Sequence, residues 1–222
     1  MRVVANAAMS VDGKLATRRR NQLAISGPAD FDRVDALRAE VDAVLVGVGT
    51  VLADDPSLTI DDPDRPEARE ADGQARQPAR IVADSRGRTP TDARVLDDTA
   101  GSFVLVADAA PPDAVYRLES AGATVVRAGE ERVDLDAALA TLADHGVESV
   151  LAEGGGELLF SLFDAALVDE LSVYVGSFVI GGRDAPTLAD GEGFIDEFPE
   201  LDLLEVDPID DGVLLRYDVP EH

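Results

Sequence analysis

Apolar and polar positions follow two rhythms along this chain. Short unbroken apolar runs alternate with longer stretches in which apolar residues recur every third or fourth position, the pattern of buried strands joined by crossover helices. The runs 2-RVVANAAMS-10, 42-DAVLVGVG-49, 79-ARIVADS-85, 102-SFVLVAD-108, 123-ATVVRAG-129, 147-VESVLAE-153 and 172-SVYVGSFVIG-181 predict strands. A helix is predicted over 28-PADFDRVDALRAE-40, with Ser26 as candidate cap and Phe31, Val34, Leu37 and Val41 as its apolar stripe. Further helices are predicted over 112–122, over 133–146 with Leu135, Leu139 and Leu142 on one side and Gly146 as its stop, and over 157–171. The tail 201–219 reads as a hairpin turned at Asp211-Gly212. The segment 61-DDPDRPEAREADGQARQP-78 is charged and rich in proline and glycine, which predicts a flexible loop insert. The expectation is one α/β domain over residues 1–222, a mostly parallel sheet with an antiparallel C-terminal edge.

Composition narrows the possible partners. No apolar run approaches the roughly 18 residues of a membrane span, and Asn6, Ser10 and Asp12 interrupt any signal-peptide core, so a cytoplasmic protein without a membrane partner is expected. Zero cysteines and two isolated histidines, His145 and His222, argue against disulfides and a metal site. Against 19 basic residues stand 45 acidic ones, a net charge of −26 that would repel nucleic acid at long range. The acids are spread over nearly every segment, which suggests a halophilic surface suited to a high-salt interior, the alternative being an ordinary acidic protein.

Three clusters carry candidate chemistry. In 150-VLAEGGGELLFSLF-163 a strand meets Gly154, Gly155 and Gly156 and then a helix, so bare N–H groups at the positive end of a helix dipole could cradle a phosphate. A tight turn needing positive φ is the other reading. Glu153 stands at the C-terminal edge of that strand, where α/β sheets bind ligands, or is an ordinary strand-end acid. In 6-NAAMSVDGKLATRRR-20, Ser10, Asp12 and Lys14, the only lysine, follow a strand. An ammonium beside a carboxylate could orient a sugar hydroxyl or assist proton transfer, and a polar turn is the alternative. In 47-GVGTVLADDPSLT-59, Thr50 and Asp54 could meet hydroxyls or amides of a cofactor, although the stretch could equally be a helix turn capped by Asp55 before Pro56.

Together with 37-LRAEVDAVLVGVGTVLADDPSLT-59, 80-RIVADSRGR-88 and 179-VIGGRDAPTL-188, these clusters resemble the riboflavin-biosynthesis reductases, stand-alone counterparts of the C-terminal domain of bacterial bifunctional deaminase-reductases. The resemblance implies a dihydrofolate-reductase-like three-layer sandwich, a homodimer, and a reduction that uses NADPH, with NADH as the alternative. Its implied small-molecule substrate is a ribosylaminopyrimidinone 5′-phosphate, reduced at C1′ of the ring-opened Schiff base, and the stand-alone form points to the diamino compound before deamination. With no zinc-deaminase motif, deamination is expected of another protein. Cofactor contacts implied are Thr50, Asp54, Ser85, Gly154, Gly155, Gly156, Glu157 and Leu158, with Arg86 as a candidate for a 2′-phosphate. Substrate contacts implied are Asn6, Ser10, Asp12, Lys14, Arg38 and Glu153, of which Asp12, Lys14 and Glu153 are the catalytic candidates. Arg38 has a planar fork suited to a phosphate, or pairs at the surface with Glu40 or Asp42. The chain departs from the bacterial pattern at Asp61 and around Gln22 and Ala24, which shifts phosphate anchoring toward Arg38 with Arg18, Arg19 or Arg20. Rival readings keep the fold with a deaminated pyrimidine or a dihydropterin as substrate, or make the chain a non-catalytic nucleotide-binding module.

Overall fold

The computed structural model describes residues 1–20 and 23–220; Gln22 and His222, both noted above, lie outside the described residues. In chain order the elements begin with β1 (Arg2–Ser10), α1 (Pro28–Glu40), β2 (Ala43–Gly47), α2 (Val48–Asp54), α3 (Asp64–Ala71), β3 (Ala79–Ala83), β4 (Ser102–Val106) and α4 (Pro112–Ser120). They continue with β5 (Thr124–Arg127), α5 (Leu135–Asp144), β6 (Ser149–Gly154), α6 (Gly156–Asp164), β7 (Glu170–Gly176), β8 (Asp202–Ile209) and β9 (Gly212–Asp218). Two compact units result, one of residue 1 with 35–151 and one of residues 2–34 with 152 onward.

In the first unit β2, β3, β4 and β5 run parallel, with Leu45, Ile81, Phe103 and Thr124 in register. Their sequences lack alternation because both faces are covered: Val44, Leu45, Val46, Val104, Leu105 and Val106 have no exposed surface. Each such side chain contributes about 1.5–3 kcal/mol by leaving water. Helix α4 packs Val115 and Leu118 against Val104 and Val106. Helix α5 buries Leu135, Leu139 and Leu142 as its spacing predicts, with Asp134 capping its start and Gly146 in the left-handed region beyond its end. Arg80 of β3, fully buried, donates to the carbonyls of Arg94, Asp97 and Ala100 and to the Asp97 carboxylate, which ties down the crossover at 94–100.

Two expectations in this unit fail. The segment 61–78, expected as a loop, holds α3. Its proline and acids are first-turn features of a helix rather than loop signals, since Pro66 costs no hydrogen bond there and Asp64 and Glu67 complement the dipole. The buried Asp35 carboxylate accepts from the N–H groups of Asp61 and Asp62 and from Arg65, and Arg69 is buried against the carbonyls of Ala39, Val41 and Ala75. The strand expected to run to residue 49 ends at Gly47, and α2 begins at once. The helix-turn alternative holds there, with Asp55 in the left-handed region and its N–H on the Val51 carbonyl.

In the second unit β1 lies parallel to β7, and β7, β9 and β8 follow antiparallel, the expected edge. Here α1 starts on a cap that the sequence does not suggest. Asp210 accepts from the N–H groups of Ala29 and Asp30 in place of Ser26, and Gly27 leaves room for that carboxylate. Phe31, expected in a buried stripe, is 56% exposed, whereas Asp30 is buried in an ion pair with Arg33. Helix α6 stops at Asp164 rather than 171, because Ala166 turns left-handed at φ 51 and Asp169 takes the Val3 N–H to start β7. The hairpin turns on Asp210 and Asp211, one residue early, since Gly212 must lie flat against the Tyr174 ring. Strand β6 begins in the first unit, where Asp42 accepts from Glu148 N, Ser149 N and Ser149 Oγ, and ends in the second at Gly154. No described helix is long and apolar enough to cross a membrane.

Candidate functional site

The end of β1 folds back on its own hydroxyl. Ser10, fully buried, accepts the Lys14 N–H at 3.1 Å and donates to Asp12 at 2.6 Å, and Gly13 supplies the positive φ that closes the turn. Asp12 also accepts from Ile180 N at 3.0 Å and Gly181 N at 2.8 Å. The Ser10 hydroxyl, and then these two N–H groups, hold its carboxyl down to about 2. Lys14 Nζ donates to the Ala185 carbonyl at 3.2 Å, and its backbone pairs with Thr187. Asp12 and Lys14, expected to act on a ligand as a side-chain pair, instead reach separate points on the 180–187 segment. Asp12 thereby sets the backbone of 180–181 and Lys14 is aimed toward 185.

Asn6, buried one turn of the pleat earlier, offers Oδ1 to Arg33 Nη2 at 2.9 Å. The same guanidinium binds Ser172 Oγ and Asp30, so one arginine joins β1, β7 and α1. Sequence reasoning missed Arg33. Its signal was the spacing of three from Asp30 on a helix.

At the glycine turn Gly154 has φ +111, a conformation that strains any side chain, and a Cβ there would meet nothing within 4 Å. Gly155 is extended and joined to Gly154 by a cis peptide bond. At Gly156 a Cβ would collide with the Thr187 carbonyl. The last glycine therefore serves the protein's own packing, while the first leaves open backbone that a ligand could approach. Asp190 locks the covering segment: its N–H donates to Gly156 O, and its carboxylate accepts from Thr187 N and Oγ1. Glu153 is half-buried at the end of β6, Glu157 is exposed in the first turn of α6, and the Leu158 side chain is buried, so only its backbone faces outward chemistry.

A cleft of about 490 Å³ opens in the same unit, lined by Thr17, Arg18, Arg19, Ile180, Gly181 and Gly182. Gly181 and Gly182 both have positive φ, and Gly182 packs against the stem of Arg18. No group of His and acidic side chains with metal-holding geometry occurs among the described residues.

The remaining predicted residues belong to the first unit. Thr50 and Asp54 share one face of α2 at a spacing of four, and burial pushes the Asp54 carboxyl up. Arg38 donates to the Thr59 carbonyl at 2.8 Å. Ser85 Oγ accepts the Val133 N–H at 3.0 Å, beside a buried Asp84 that holds Thr89, and Arg86 is exposed.

Fold and site thus define an α/β protein whose polar side chains collect at strand ends around glycine turns. Residues 1–215 match the RibD C-terminal domain, and the chain belongs to that family. It is 48% identical over 193 residues to the 2,5-diamino-6-ribosylamino-4(3H)-pyrimidinone 5′-phosphate reductase of Archaeoglobus fulgidus, covering 87% of this chain and 88% of that protein. The protein of the same name from Methanothermobacter thermautotrophicus is 46% identical over 204 residues, 92% of this chain and 90% of its own length. Among solved structures, a pyrimidine reductase-like protein of Corynebacterium diphtheriae shares the fold with a TM-score of 0.82 at 17% identity, covering 100% of this chain and 92% of that one.

Proposed function

We propose that this protein is a riboflavin-biosynthesis reductase that acts on 2,5-diamino-6-ribosylamino-4(3H)-pyrimidinone 5′-phosphate and uses NADPH, with NADH as the alternative. The observation that carries this reading is the 48% identity to a reductase of that name across nearly the full length of both proteins. The open backbone at Gly154 fits a nucleotide cofactor, which the 154–158 turn would hold in the second unit; Thr50, Asp54 and Ser85 are the cofactor groups assigned in the first. When bound, a nicotinamide nucleotide supplies the hydride for C1′ of the ring-opened ribosylamine.

The chain's own residues bind and orient. Arg33 fixes Asn6 by its carbonyl oxygen, which leaves the amide NH₂ as the donor end for a substrate hydroxyl or ring carbonyl. Glu153, at the end of a strand whose start is pinned by Asp42, is the acceptor assigned to a ribose hydroxyl or a pyrimidine amine. Asp12 stays ionised and shapes the 180–181 backbone, so its part in catalysis is to place that segment, while Lys14 and Ser10 hold the facing turn. Alignment of this kind is where a protein contributes most to a reaction whose redox chemistry belongs to the cofactor.

Absorbance at the NADPH band, followed in high salt on addition of the diamino substrate, tests the reading. Loss of absorbance is expected; loss only with the deaminated analogue would move the step after deamination, and NADPH binding without oxidation would leave a binding module. The homodimer belongs to the same proposal, and the exposed Leu203, Leu204 and Val206 on β8 offer apolar surface for it, checked by sedimentation. So does the high-salt habitat: with a net charge of −26, the melting temperature should rise as KCl is raised from dilute to molar, and a flat profile would discard the idea.

A further inference from the structure

In a chain with more than two acids for every base, cations that carry no acid need an explanation. Arg2, Arg33, Arg65, Arg76, Arg80 and Arg216 each hold a carboxylate within 3 Å. Arg18 and Arg19 hold none among the described residues, although they open the chain's only run of three consecutive bases, 18-RRR-20. Both guanidinium groups stand exposed on the cleft of about 490 Å³, with the Thr17 residue beside them and the backbone of Ile180, Gly181 and Gly182 opposite. Nothing bulky projects from the 181–182 wall, because both residues need positive φ and are glycine. The nearest acid, Asp12, already spends its oxygens on Ser10 Oγ, Ile180 N and Gly181 N, so it builds the wall instead of neutralising the arginines.

We infer that this cleft binds a phosphate monoester, and that Arg18 and Arg19 grip the 5′-phosphate of the substrate. Two forked guanidinium groups match the oxygens of a dianion, and a glycine wall lets the ligand approach backbone closely. That the phosphate is the substrate's own rests on the reductase reading; the anion site does not.

Ribose 5-phosphate, which lacks the pyrimidine and is no hydride acceptor here, is the probe. Its binding is measured by calorimetry on the full chain, against unphosphorylated ribose as control. Wild type should bind ribose 5-phosphate and not ribose. Arg18→Gln with Arg19→Gln should weaken binding roughly ten- to a hundredfold, the effect of losing charged hydrogen bonds, and Arg18→Lys with Arg19→Lys should recover part of it as point charges without the fork. In turnover, the Gln variant should raise KM for the pyrimidinone phosphate by a similar factor and leave KM for NADPH unchanged. Equal ribose 5-phosphate affinity in wild type and the Gln variant overturns the site, as does failure of wild type to bind it. Displacement of ribose 5-phosphate by 2′,5′-ADP would reassign the site to a cofactor phosphate and overturn the substrate's claim. If binding depends on both arginines yet no pyrimidinone is reduced, the reductase reading fails and the anion site stands.

Discussion

In the first unit Arg80 has no exposed surface and spends its fork on three carbonyls and a carboxylate, whereas in the second unit Arg18 and Arg19 stand exposed on a cleft without an acid to hold. The same side chain serves as an internal clamp where its donors are met by backbone, and as a candidate ligand grip where they are not. Arg33 lies between these cases: partly buried, bound to Asp30, Ser172 and Asn6, it is structural in its contacts and functional in what it orients.

Substitution at each position should separate the roles. Arg80→Met leaves the carbonyls of Arg94, Asp97 and Ala100 without their donor and should cost about 3–5 kcal/mol in denaturant unfolding at fixed salt; a loss under about 1 kcal/mol would remove the clamp interpretation. Arg33→Met should cost about 1–3 kcal/mol and, by freeing Asn6, also raise KM for the pyrimidinone phosphate, a double effect that a purely structural arginine would not show. Acid titration gives the next effect. Arg80 holds the Asp97 carboxyl below its ordinary 3.8, and Asp12 is held at about 2. A carboxyl depressed by folding stabilises fully above its unfolded value near pH 4 and loses that contribution as pH falls toward 2. Asp54, raised by burial, has the opposite sign and is relieved by protonation. Unfolding free energy should therefore drop between pH 4 and 2, with Asp97→Asn dropping less steeply than wild type; parallel curves would argue against the pairing. The smallest effect is expected at the cleft, where Arg18→Gln with Arg19→Gln should leave stability within about 0.5 kcal/mol.

The sequence exposed those parts of the fold whose reasons are local. Strands such as 102–106 and the face of α5 follow from apolar spacing, and the left-handed glycines from the turns that need them. What stayed hidden depends on distant partners. Helix α2 looked like the end of a strand because Val48 and Val51 are β-branched and no side-chain cap marks its start. Helix α3 looked like a loop because its anchors, Asp35 and the carbonyls of Ala39 and Val41, lie elsewhere in the chain. At the site, Ser10, Asp12, Lys14 and the glycines stood out by composition. Their actual bonding did not, since Asp12 and Lys14 answer to residues 180–187 rather than to each other.

The Asp210 cap on α1 also sets an order of events. The helix that begins at Pro28 receives its capping carboxylate from a residue 180 positions beyond Asp30. During synthesis, residues 35–151 emerge as an almost complete unit of their own, with short crossovers between adjacent strands. The segment that holds Asn6, Ser10 and Lys14 must instead wait for the closing hairpin, so the first residues made are among the last to be secured.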